Sequence, residues 1–502
     1  MTRQIRQAVQ PFLLLALVAT ALPAAEERPN ILFILSDDHA AQAIGAYGSR
    51  INKTPHIDRL AREGMLFKNC FVTNSICTPS RAVILTGKYS HVNGVRTLGD
   101  AFDGSQPHVA KLLQKAGYYT GLIGKWHLRT APTGFDEYKV LPGQGDYFDP
   151  VFYAQDMPWW RGKGKRAEGK RYPGYVTDVT TDLALDFLER RPADKPFLLF
   201  YHHKAPHDMW EYDDKHAHLY ENEEVPEPGN LFDDYADRTE AIRRTTEKIG
   251  MEETIFLHKA GNGQFDGVRE KIGHLPPREQ KKAAYQIFIK AYLRCVAAID
   301  DNIGRVLDHL DASGLSQNTI VIYTSDQGVF LGEHGLFDKR FMYEESLRMP
   351  FLVRYPGVVP AASTNGDIVT NCDFAETLLD FAGVPIPEDM QGRSLRPLLE
   401  GRSPADWQQA MYYRYWLHLP HFRVAAHYGL RTKGYKLIYY YGKPMGAKGA
   451  VQQETPPEWE LFDLRKDPHE MKNVYNDPDY AGRVRILKKR LEGLRQELGD
   501  TR

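Results

Sequence analysis

Four short apolar runs in this chain each stop abruptly in polar residues. Ile31 to Leu35 leads into Ser36-Asp37-Asp38-His39, and Thr120 to Ile123 into Gly124-Lys125-Trp126-His127. Phe197 to Tyr201 leads into His202-His203-Lys204-Ala205-Pro206-His207, and Thr319 to Tyr323 into Thr324-Ser325-Asp326-Gln327-Gly328. An unbroken apolar run marks a strand covered on both faces, and helical patterns between such runs predict an α/β fold with a large, mostly parallel sheet sandwiched by helices. One intervening helix is explicit: Leu293, Val296, Ile299, Ile303, Val306, Leu307 and Leu310 fall on one stripe at helical spacing. Open α/β sheets place their sites beyond the carboxyl ends of the strands, so the four polar endings are expected to converge.

From about Ala205 to Ala284 periodicity gives way to a polar stretch with Pro-Glu-Pro-Gly at 226–229. It reads as a surface insertion with a helix or two that shapes a substrate entrance. Beyond about Pro385 the chain turns to Tyr-rich alternating strands, including Tyr435 to Tyr441 and Trp459 to Leu464, and Val484, Leu487, Leu491, Leu494 and Leu498 form the stripe of a last helix. The expected organisation is a catalytic-type domain over residues 28–385 and a smaller α+β unit over 386–502, without internal repeats. Ahead of them, Arg3 and Arg6, the apolar run Pro11 to Leu22 and Pro23-Ala24-Ala25 read as a signal peptide over residues 1–25. That run is too short to span a bilayer and no later one suffices, so the expectation is an exported protein, periplasmic or extracellular, with no membrane span.

Composition narrows the chemistry. A length of 502 residues exceeds what one core usually supports, and 42% hydrophobic residues exclude disorder. With 64 Lys and Arg against 65 Asp and Glu the net charge is -1, so no global field draws the protein to nucleic acid, and an anionic substrate must be read by a local cluster. The basic, Gly-rich stretch Arg161 to Arg171 is either a solvated loop or a contact to a polyanionic substrate. Four cysteines, Cys70, Cys77, Cys295 and Cys372, are too few for a fold held by disulfides.

The most specific stretch is Cys77-Thr78-Pro79-Ser80-Arg81-Ala82-Val83-Ile84-Leu85-Thr86-Gly87. Thr78 is suited to cap a helix whose first position is Pro79, which places Cys77 at the positive end of that helix, a position for an anion or a nucleophile. The stretch resembles the signature of the type I sulfatases, Cys-x-Pro-Ser-Arg followed by Thr-Gly, with every defining position matched. The resemblance extends from Arg28-Pro29-Asn30-Ile31 through Trp459 to Leu464 and Asp467-Pro468. It implies an alkaline phosphatase-like fold and a cysteine that a dedicated maturation enzyme oxidises to Cα-formylglycine, whose hydrate attacks sulfur.

Asp37 and Asp38 at one strand end and Asp326 with Gln327 at another offer three carboxylates and an amide oxygen, a hard set suited to calcium or magnesium and not to zinc. The resemblance selects calcium, with the group at Cys77 completing the shell. Most sulfatases carry Asn where this chain has Gln327, which offers the same carbonyl on a longer arm. A sulfate ester brings negative charge and a poor leaving group, so its hydrolysis needs cations around the oxygens and an acid at the bridging one. By resemblance Arg81 orients the hydrate, Lys125 and His127 stand beside it, and His207 and Lys339 meet the leaving oxygen. Asp326 then assists attack, His207 or Lys339 protonates the departing sugar oxygen, and His127 takes the proton that lets sulfate leave. His203 and His334 are expected to bind substrate, with His39 and Glu333 as further candidates and His202 as a structural residue. The motifs from Ser325 to Ser346 most resemble the N-acetylglucosamine-6-sulfatase branch, which implies a sulfated oligo- or polysaccharide substrate. Two other readings stay open: a phosphoric or phosphonate ester hydrolase of the same superfamily, and an unmatured, inactive carbohydrate-binding protein.

Overall fold

The computed structural model describes residues 28–159, 169–250 and 263–501. The predicted signal peptide and most of the basic Arg161 to Arg171 stretch lie outside these residues. The four apolar runs form strands β1 (Asn30–Ser36), β2 (Tyr119–Lys125), β3 (Phe197–His202) and β4 (Thr319–Ser325), adjacent in the order β4-β1-β3-β2. With Glu137–Leu141 beside β2 they make five parallel strands at the centre of a ten-stranded sheet. The flanks are mixed. Phe351–Arg354 runs antiparallel to β4 and leads out to Met65–Phe67 and Ser363–Asn365, and the other edge carries Val151–Ala154 and Lys170–Arg171.

Side chains alternate across a strand, so each unbroken apolar run feeds two cores. Ile31, Phe33 and Leu35 pack on the face that carries helices α1 (Cys77–Thr86) and, later in the chain, Phe374–Phe381. Leu32 and Ile34 pack on the opposite face, under α2 (Val176–Arg190) and α3 (Pro277–Ala312). The seven residues of the predicted helical stripe are all fully buried in α3. Register then delivers the convergence: Ser36 pairs with Ser325, Leu35 with His202, and His202 with Gly124, so the four polar endings leave the sheet level with one another.

The polar stretch departs from expectation in two ways. Its last residues already belong to α3, which starts at Pro277, with proline at the position where a helix tolerates it. Nor is it merely a surface feature: Val225, Leu231, Ile242 and Ile249 are buried, spaced too irregularly for a pattern to reveal them, and its helices Glu240–Arg243 and Val268–Ile272 are little more than one turn each. The C-terminal expectation is met by a four-stranded antiparallel meander, Ala410–Tyr415, His427–Thr432, Tyr435–Tyr440 and Glu458–Asp463. Across it lies the helix Ala481–Glu497, with Leu487 and Leu491 buried against Tyr412, Leu430, Leu437 and Leu461. All four cysteines are buried and none is in a disulfide.

Helix α1 ends on Gly87, whose φ of 64° is left-handed and whose N–H closes onto Val83 O at 2.9 Å. A Cβ there would stand 2.5 Å from Glu376 Oε1, on the neighbouring helix. That buried carboxyl accepts from Gly392 N at 2.8 Å, has no hydrogen-bond partner for its other oxygen among the described residues, and is pushed by burial from 4.5 up to about 8. A raised carboxyl favours the folded state only while protonated, so its contribution is whole below pH 4.5 and fades as pH rises towards 8. Denaturant melts at several pH values should show wild-type stability falling in that window by up to about 1.4 kcal/mol per pH unit relative to Glu376→Gln. Parallel pH profiles for the two proteins would remove Glu376 as the cause.

Candidate active site

The ends of β1 and β4 bring carboxylates into a closed space. Asp37 and Asp326 are fully buried, and Asp38, with a φ of 62°, turns its carboxylate back towards its neighbour. Acidic oxygens of Asp37, Asp38 and Asp326 lie within 4.8 Å of one another. Helix α1 presents Cys77 and, one turn on, Arg81 from the same face. The Arg81 guanidinium reaches Asp37 Oδ2 at 2.7 Å through Nη2, Asp326 Oδ2 at 3.0 Å through Nε, and Lys125 O at 2.7 Å through Nη1. Cys77 Sγ, an Asp37 oxygen and a His207 ring nitrogen also lie within 4.8 Å of one another.

The cap reading fails at Thr78. The helix begins at Cys77 itself, and the Thr78 hydroxyl donates instead to His127 O at 3.0 Å, tying α1 to the turn after β2. The end of β2 just before that turn depends on Gly124, whose φ is 108° and whose absent Cβ would meet His202 O of the adjacent β3 at 1.8 Å. Lys125 then runs inward to Asp37 Oδ2 and Gln144 Oε1, and His127 hydrogen-bonds the Cys77 side chain. After β3, His207 sits with Nε2 3.9 Å from Asp37 Oδ1 and 3.7 Å from Asp38 Oδ2, while its Nδ1 meets Asp208. Lys339 closes the ring, 2.7 and 2.5 Å from the two Asp38 oxygens.

Burial and mutual charge set the protonation states. Burial raises every carboxyl here, yet Lys125, His207 and Arg81 together pull Asp37 well below the usual carboxylate range. Asp326 goes the other way, held well up by burial and by repulsion from Asp37. Burial lowers His127 and keeps its ring neutral. For His207 burial also lowers, but Asp208 and Asp38 outweigh it and carry the imidazolium up to about 10. Burial lifts the Cys77 thiol, and Lys125 with His127 reverses this, leaving it well below an ordinary thiol. The pocket around Cys77 is therefore built to hold an anion.

A hard cation fits this donor set. Asp37 Oδ1 and Gln327 Oε1 are buried without a hydrogen-bond partner among the described residues, while Gln327 Nε2 is spent on Asp38 Oδ1. Adding positive charge among these oxygens would also lower the raised Asp326. The longer arm of Gln327 thus brings its amide group to the acid cluster, where Nε2 meets Asp38 Oδ1.

Ten predicted residues come together: Asp37, Asp38, Cys77, Arg81, Lys125, His127, His207, Asp326, Gln327 and Lys339. His203 and His334 do not join them. His203 is fully buried on the α2 and α3 side of the sheet, its ring 4.4 Å from that of Tyr201, because successive residues leaving β3 point to opposite faces. His334 is enclosed as well, its Nδ1 2.8 Å from Asp233 Oδ2 and its ring beside Phe330 and Tyr343, so it braces a loop. His39 is buried against Tyr323, His202 contacts Lys125 O at 3.2 Å, and Glu333 accepts from Leu331 N at 2.6 Å. Asp208 and Gln144 were missed: the first is signalled only by adjacency to His207, and the second lies in a Gly-flanked loop without a motif.

A buried anion pocket at the carboxyl edge of a parallel sheet, with a helix-borne cysteine at its centre, defines a hydrolase of anionic esters. The chain belongs to the sulfatase family, whose model matches residues 29–384, and a second model, described as N-sulphoglucosamine sulphohydrolase, C-terminal, matches 332–497. It is a sulfuric ester hydrolase. It is 42% identical to an N-acetylglucosamine-6-O-sulfatase of Bacteroides thetaiotaomicron, across 98% of this chain and 90% of the relative. A solved structure of a protein in complex with its substrate, D-glucosamine-2-N,6-O-disulfate, matches with a TM-score of 0.85 and 41% identity, over 95% of this chain and 99% of that one. A phosphonate monoester hydrolase from Silicibacter pomeroyi shares the fold, with a TM-score of 0.73 at 22% identity over 94% and 96% of the two chains.

Removing one carboxylate from a hard-cation site lowers ligand charge and strands the buried cations beside it. Calorimetric titration with calcium should show wild-type binding lost in both Asp37→Ala and Asp326→Ala. Unchanged affinity in the two variants would exclude these residues as ligands.

Proposed function

We propose that this sulfatase removes a sulfate ester from a sulfated carbohydrate, with Cys77 matured to Cα-formylglycine and calcium held by Asp37, Asp38, Asp326 and Gln327. The observation that carries the reading is the position of Cys77 within 4.8 Å of both the Asp37 carboxylate and the His207 ring, inside a ring of Arg81, Lys125 and Lys339. When present, the aldehyde hydrate supplies a nucleophilic hydroxyl and the calcium ion a positive charge for the sulfate oxygens.

The chain's own residues supply the rest. Arg81 fixes Asp37 and Asp326 relative to α1, and Lys125 and Lys339 set positive charge where sulfate oxygens gather. Neutral His127, bonded to the Cys77 side chain, is placed to take a proton there. Protonated His207, backed by Asp208, is placed to give one to the departing sugar oxygen. The 6-O-sulfatase relative and the disulfated glucosamine complex support a 6-sulfated glucosamine unit as the substrate. The signal-peptide pattern of residues 1–25 supports export, and the Cys77 motif supports a formylglycine-generating enzyme as partner.

Because the fold also serves phosphonate monoesters, the test compares esters directly. The matured protein should release sulfate from glucosamine 6-sulfate and far less phosphate from glucosamine 6-phosphate; the reverse ranking would overturn the reading. In the same assay His207→Ala should lose roughly 10²-fold on the sulfated sugar and much less on nitrophenyl sulfate, whose leaving group needs little protonation. Equal losses would move the acid role to Lys339.

A further inference from the structure

Asp37 and Asp38 are neighbours at the end of an extended strand, where consecutive side chains point to opposite faces. Their carboxylates nevertheless share one site, with oxygens inside a 4.8 Å group. The reversal is made by the backbone of Asp38, whose φ of 62° lies in the left-handed region that a residue with a Cβ seldom adopts. Something must hold it there.

Three side chains grip this turn. Asp38 N donates to Asp326 Oδ1 at 3.2 Å and His39 N to Ser325 Oγ at 2.9 Å, both from β4 and its polar ending. The third comes from the opposite layer. Tyr292, fully buried in the middle of α3, accepts at its hydroxyl from Ala40 N at 2.9 Å and donates to Asp38 O at 2.8 Å. One phenol thus spans the turn, taking the amide two residues after Asp38 and the carbonyl of Asp38 itself. It touches none of the reacting groups, and α3 is the longest helix of the fold, anchored over 36 residues.

We propose that Tyr292 is a positioning residue for Asp38, and that its hydroxyl sets how strongly the acid cluster takes calcium. The inference rests on the calcium reading above. Without the hydroxyl, Asp38 O and Ala40 N are left buried and unpaired, which favours relaxation of the turn and withdrawal of the Asp38 carboxylate. Phe keeps the ring and its packing, so Tyr292→Phe changes this pair of hydrogen bonds and little else.

The experiment titrates metal-free wild type, Tyr292→Phe and Tyr201→Phe with calcium by calorimetry, below the melting temperature measured for each. Tyr201 is the control: it is fully buried in the same core, and its hydroxyl bonds Thr181 and not the turn. Tyr292→Phe should bind calcium about tenfold more weakly, while Tyr201→Phe keeps wild-type affinity even where its melting temperature falls. A purely structural Tyr292 would behave as Tyr201 does, losing melting temperature and keeping affinity, and that result overturns the inference while leaving the calcium site standing. A wild-type protein that takes no calcium overturns the metal reading and the inference together.

Discussion

One guanidinium joins the helix that carries Cys77 to three strand ends. Arg81 bonds Asp37 after β1, Asp326 after β4 and the Lys125 carbonyl that ends β2, and it does so while almost wholly buried. Only a planar fork with several donors at fixed angles meets three acceptors in this way; a lysine at the same place is a point charge on a flexible stem. The distance from Cys77 to the carboxylates and the facing of α1 are both referred to this side chain. Its place one turn after Cys77 explains why the two residues are spaced as they are.

The same bond belongs to a wider balance of charge. Asp37, Asp38 and Asp326 face Arg81, Lys125, Lys339 and His207 in one buried cluster. Desolvating so many ions is costly, and breaking one buried pair strands its partner, so the cluster is poor evidence of design for stability. Its value lies in prearrangement. On the proposed reading, positive groups already stand where the oxygens of an anionic ester come to rest, and they need not reorganise as charge moves onto the leaving oxygen. The opposed protonation of His127 and His207 follows from their surroundings: burial and the neighbouring Lys125 act against charge on the first, while the second stands between Asp208 and Asp38.

Much of this was legible in the sequence because the strands are short, apolar and ended by polar residues, and because register forces level strands to end together. Asp37, Lys125 and Asp326 could be placed in one site from pattern alone, and the Cys77 motif fixed the remaining partners by resemblance. Thr78 was misread because its hydroxyl found a tertiary acceptor, His127 O, in place of a backbone amide of its own helix. His203 and His334 look like site residues in one dimension, but strand alternation sends the first to the far core and the Asp233 carboxylate draws the second into a loop brace. The buried residues described in the 205–284 stretch carry no period, since they divide between the two cores, Ile242 with the α1 side and Val225, Leu231 and Ile249 with the α3 side. Gln144 and Tyr292 act through contacts made across more than a dozen residues of chain, which no local pattern encodes.

On the proposed function, the charged cluster serves a group made from Cys77. The most direct test of this is mass spectrometry of the Cys77 peptide, in protein produced with and without a formylglycine-generating enzyme, set beside specific activity in each preparation. The expected result is a peptide in which the thiol is replaced by an aldehyde, with sulfate release rising in proportion to the aldehyde fraction. Full turnover by protein that carries only the unmodified thiol would contradict it.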